Sequence, residues 1–134
     1  MKIKHFTIIL LLFGIFACGN KDAEQAKKLQ AETEKLHDEI MPITFKIRDL
    51  RDSVLKKTNV AADQTKKDEG VSVANEIQDA DNAMDGFMNK LGDAMALEDI
   101  DPAKLKIMAE LKIEGEGVKK KTLQAKAKAE SFLK

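Results

Sequence analysis

Cys18 is the only cysteine in the chain, so any chemistry that needs a thiol falls on this one position. Other reactive groups are sparse. Glu34 and His37 stand at the Glu-x-x-His spacing that di-iron carboxylate bundles use on their inward faces, but such a site needs two of these motifs and two further glutamates. Only one motif is present, so His37 is read as a solvated rim residue. Asp79, Asp81 and Asp85 could suggest calcium, yet they fall in a helical stretch without the turn-forming glycine of a calcium loop. Gly115-Glu116-Gly117 lacks the third glycine and preceding strand of a dinucleotide loop. No pair of residues offers a nucleophile with its base, so the expectation is a protein that is not an enzyme and carries no metal or other cofactor.

The residues before Cys18 give it a context. Lys2, Lys4 and His5 form a positive start, and an apolar run follows from Phe6 to Phe16, broken only by Thr7 and Gly14 and too short for a stable membrane span. Ile15-Phe16-Ala17-Cys18 then resembles the lipobox of bacterial lipoproteins. That resemblance implies cleavage before Cys18, diacylation of its thiol and usually acylation of the new N-terminus. Several acyl chains would hold the protein to a membrane without crossing it. Gly19, where Asp would imply inner-membrane retention, favours the outer membrane, with the leaflet left open; Lys21, Asp22 and Glu24 weakly resemble export signals to the cell surface. The alternative is an ordinary secretory signal with a chance cysteine. The expected division is a signal peptide over 1–17, a lipidated tether over 18–23 and a helical bundle over 24–134.

Of 134 residues, the 117 beyond the first 17 suffice for one small domain. Losing Lys2 and Lys4 leaves 21 basic residues of the original 23 against 23 acidic ones, a near-neutral and evenly mixed surface. Such a surface provides no basic field for nucleic acid and no polybasic stripe for anionic lipid.

The bundle region is rich in Ala, Lys, Glu, Leu and Gln, and its only prolines are Pro42 and Pro102. Apolar or small residues recur at alternating gaps of three and four through Ala26, Leu29, Thr33, Leu36, Ile40, Ile43, Ile47, Leu50 and Val54. This is the seam of a helix packed at a shallow angle, kinked at Pro42 but in phase across it. Asn59 to Gly70 is polar and aperiodic and reads as a connection. Val73, Ile77, Ala80, Met84, Phe87, Leu91 and Ala94 give a second seam, and Met108 through Phe132 a third, beginning after an Asp101-Pro102 start signal. Helices are expected over about 24–58, 71–97 and 102–133, the last weakened at Gly115 and Gly117. The fold class is all-α, a three-helix up-down-up antiparallel bundle with coiled-coil-like packing.

Two segments carry a further resemblance. Glu34 to Pro42 with Ile47-Arg48-Asp49-Leu50, and Ala80 to Met88, are similar to a family of small bacterial lipoproteins of unknown function, some automatically labelled "viral A-type inclusion protein". Phe87 stands where that family is expected to carry tryptophan. The resemblance implies fold and location, and no activity. In a hairpin of the first two helices, Pro42, Phe45, Phe87 and Met88 would lie at similar heights. They are expected either to form an interaction patch or simply to pack together. Two functional classes follow: an envelope interaction or structural module that binds an envelope protein or itself, and a helical lipoprotein that holds a small molecule or metal.

Overall fold

The computed structural model describes residues 16–134, with side chains from residue 21. The expected signal segment and the Cys18 side chain lie outside the described residues. Three helices, α1 (Phe16–Val60), α2 (Gln64–Met95) and α3 (Pro102–Leu133), pack together, each against both others. Among the described residues there is no strand, and no helix is long and apolar enough to cross a membrane.

The three-four seams become the core. On α1, Ala26, Thr33, Ile40, Ile47 and Val54 are buried at every seventh residue, with Leu29, Leu36, Ile43 and Leu50 half-buried between them. On α2 every seam residue from Val73 to Ala94 is buried, and on α3 every one from Met108 to Ala129. Polar core residues satisfy themselves locally. Thr33, Thr44, Thr58 and Thr122 are buried, and each hydroxyl donates to the carbonyl four residues earlier, at 2.7–3.2 Å. Such back-bonding lets a β-branched residue occupy a core position without an orphaned donor. Pro42 faces solvent, and α1 runs through it unbroken and in phase, as its seam implies.

The first connection is shorter than its polarity suggests. Instead of a loop through Gly70, α2 begins at Gln64, because Asp63 caps it by accepting from Thr65 N–H at 2.9 Å. Residues 64 to 69 lack apolar periodicity because they mostly face water, and Gly70 is a buried position inside the helix. A Cβ on Gly70 would lie 1.9 Å from Thr58 Oγ1 and 2.8 Å from Phe132 Cζ, so only glycine lets the three helices converge there. The second helix also ends two residues before its expected limit, at Met95. Asp101 caps α3 as expected, accepting from Ala103 N–H at 2.8 Å, and α3 continues through Gly115 and Gly117. Toward the N-terminus, α1 extends through the expected tether.

Ion pairs fix the register. Glu32–Lys112 (2.7 Å) and Glu39–Lys119 (2.6 Å) both span 80 residues, so α1 and α3 run in the same sense over this stretch. Lys90–Glu114 (2.8 Å) and Lys128–Glu76 (2.6 Å) link α2 to α3 in the opposite sense. The second connection is clamped from both sides. Buried Lys104 donates to Leu97 O at 3.0 Å and to Asp99 at 2.9 Å, while Lys27 of α1 meets the other Asp99 oxygen at 3.0 Å.

Candidate functional site

The four residues expected to meet are divided by the structure. Phe87 is wholly buried in the core, its ring over Gly115, where a Cβ would come within 3.0 Å of Cζ. It therefore cannot touch a partner, and of the expected patch Phe87 is the member that the α2 seam turns inward. Pro42, Phe45 (53% exposed) and Met88 (39% exposed) remain at the surface. Arg48 organises this side. Its guanidinium lies 5.7 Å from the Phe45 ring centre, donates from Nε to Asp81 at 2.7 Å, and reaches Asp81 and Asp85 through Nη2 at 2.6 and 3.5 Å. Met88 follows Asp85 by one turn of α2, so Phe45 and Met88 flank a bridge that ties α1 to α2.

The remaining chemical candidates are occupied locally. His37 Nδ1 sits 3.0 Å from Asp38 at a partly exposed position, and Glu34 accepts from Gln30 at 2.8 Å. Asp81 and Asp85 are engaged by Arg48, whose bonds to Asp81 hold its pKa above the ordinary arginine value. Among the described residues no three His, Cys, Asp or Glu side chains gather as a metal site would need.

Against the known protein families, the curated proteins and the solved structures, the chain matches none.

Two openings were not anticipated. Between α1 and α3, Leu36, Leu123 (43% exposed) and Ala127 line an open groove of about 570 Å³ rimmed by Glu116, Lys119 and Lys120. It adjoins the Glu32–Lys112 and Glu39–Lys119 pairs, whose hydrogen bonds hold both carboxyls below the ordinary glutamate range. Between α2 and α3, Ala94, Leu97, Ile107 and Leu111 line a second groove of about 430 Å³. Charge is also segregated by helix. α2 carries seven carboxylates against three lysines, and α3 carries eight lysines against four glutamates. The surface is thus evenly mixed only in its total, and a count per helix would have exposed the asymmetry. Leu123 was passed over because it lies off the α3 seam. These faces offer apolar contact and charge to whatever meets them.

Proposed function

We propose that this is a lipid-anchored protein of the cell envelope, held to a membrane, most simply the outer membrane, through Cys18. Its helical module acts without catalysis, by docking an envelope component. The module is an up-down-up bundle with coiled-coil-like packing, for which the unbroken seven-residue burial pattern of α1 and the opposed registers of the ion pairs are the support. The observation that carries the docking role is the exposure of Phe45 and Met88 on either side of the Arg48 bridge that links α1 to α2. Exposed apolar anchors of this kind are what a binding face uses.

The test is a photo-crosslinking residue at position 45 of the full-length protein in its native membrane. Reproducible capture of one species supports docking, and no capture overturns it. Anchoring is tested separately: Cys18→Ala should leave the protein without acyl mass and shift it out of the lipoprotein fraction. A second reading, small-molecule capture, rests on the α2–α3 groove with its Leu97, Ile107 and Leu111 lining. A thermal shift with a metabolite and metal panel should raise the unfolding midpoint if that groove holds a ligand.

A further inference from the structure

We infer that the docked partner is a second copy of this chain, joined side by side: the Phe45–Met88 face of one copy enters the Leu36–Leu123–Ala127 groove of the next. This rests on the docking role proposed above and deepens it.

Charge complementarity is the first support. Phe45 on α1 carries the Arg48 guanidinium over its ring, and Met88 on the acidic α2 follows Asp85 by one turn; Asp85 is 60% exposed despite its 3.5 Å contact with Arg48. The receiving groove lies on the basic helix, where Lys119 is engaged by Glu39, Glu116 marks the lower rim, and exposed Lys120 and Lys121 supply the positive charge higher up. In this pairing the exposed Asp85 carboxylate beside the knob meets the exposed Lys120 ammonium on the groove rim. Height is the second support. Copies anchored through the same end of α1 stand parallel on one membrane, so lateral partners can meet only at equal heights. The 80-residue offset between α1 and α3 puts Leu123 level with Ile43 and Ala127 level with Ile47, on either side of Phe45. Leu36 marks the lower end of the groove. Knob and groove therefore match in level without tilting either copy.

The contact is heterologous, so each copy keeps one unused knob or groove, and the assembly grows into a ring or a row. Confinement to a membrane raises the effective concentration, so a modest face suffices.

The test uses full-length protein in its native membrane, with Met88→Cys in one tagged copy and Gln124→Cys, on the groove rim, in another. Mild oxidation or a short thiol crosslinker should give a mixed dimer when the two are made together, and little from either alone or from the unsubstituted chain. A single chain bearing both substitutions should give a ladder. Phe45→Ala, exposed and outside the core, and Lys120→Glu should each lower the mixed dimer by about tenfold. Absence of the mixed dimer, or 88-to-88 dimers alone, overturns the inference. Failure here together with capture of a different protein from position 45 leaves the docking role standing, and failure of both experiments removes both.

Discussion

The half of the bundle nearer the start of α1 and the half farther from it are packed by different kinds of side chain. The near half is filled mainly by the long or aromatic Met84, Phe87, Leu91, Met108 and Leu111, with Ile40, Ala94 and Val118 among them. The far half relies on Ile47, Val54, Val73, Ile77 and the alanines 74, 80, 125 and 129, which are short or stiff. Each half places a glycine where the packing would otherwise fail, and the two glycines solve different problems. Gly115 seats a ring, whereas Gly70 lets the α2 backbone meet Thr58 of α1. Large flexible groups tolerate an imperfect gap between helices; small stiff ones demand close backbones.

Phe87→Ala should break the comparison most severely. Removing a wholly buried ring from the near half should cost about 3–5 kcal/mol, a large share of a small domain's stability, read as a lower denaturant midpoint. Phe87→Leu should cost clearly less. Equal losses for the two would mean the near half does not use the ring's volume. Gly70→Ala comes next. Alanine favours a helix interior by up to about 1 kcal/mol, but here its Cβ collides with the Thr58 side chain, and a net loss of about 1–3 kcal/mol is expected. Gly115→Ala should cost less, since its new Cβ meets the end of the Phe87 ring at 3.0 Å and 3.1 Å, contacts that a small ring shift relieves. Thermal unfolding of the two variants side by side checks the order, and a larger loss at Gly115 would contradict the soft-half account.

Most of this architecture was legible in spacing. The α1 seam named Thr33 as a core position, and the α3 seam named Thr122, although both are polar, because period outweighs polarity when a hydroxyl can bond its own helix. Asp101-Pro102 announced α3 correctly. The start of α2 was hidden because Asp63 caps a first turn and a half that faces water, where no apolar period is needed. The same preference for polarity made Gly70 look like a breaker, when its role depends on Thr58 and Phe132, distant in sequence. The candidate site was half legible. Phe45 and Met88 are surface apolar residues, but Phe87 was already a seam residue, and the seam decides its direction. Leu123 and Leu36 line one groove only because α3 lies beside α1 at the 80-residue offset, which no local pattern reveals.

Glycines away from both convergences sharpen the contrast in the other direction. A Cβ on Gly117 meets nothing within 4 Å, and the same holds at Gly92. Gly117→Ala should therefore stabilise the protein by about 0.5–1 kcal/mol, by removing backbone freedom from the unfolded chain. A raised unfolding midpoint for Gly117→Ala, beside a lowered one for Gly70→Ala, would show that only the convergence glycines are required.

Acid should act on the two halves unequally, and gently. Glu32 and Glu39 are held below the ordinary glutamate range by hydrogen bonds from Lys112 and Lys119, and Asp99 is held below its ordinary range by Lys104 and Lys27. All three pin the near half or its connection. A carboxyl whose pKa is depressed by folding contributes stability that is present above its unfolded value and lost as pH falls through its folded value. Below about pH 4 these clamps should therefore release progressively. Amide exchange should then quicken around residues 25–40 and 108–119 before it does so around 50–58, beyond the Arg48 bridge, where Val54 and Thr58 are buried and the Thr58 hydroxyl bonds Val54 O. Replacing Glu32 and Glu39 with glutamine should remove most of that acid dependence while leaving exchange in the far half unchanged. Uniform quickening along α1 would show that the halves open as one cooperative unit despite their different packing.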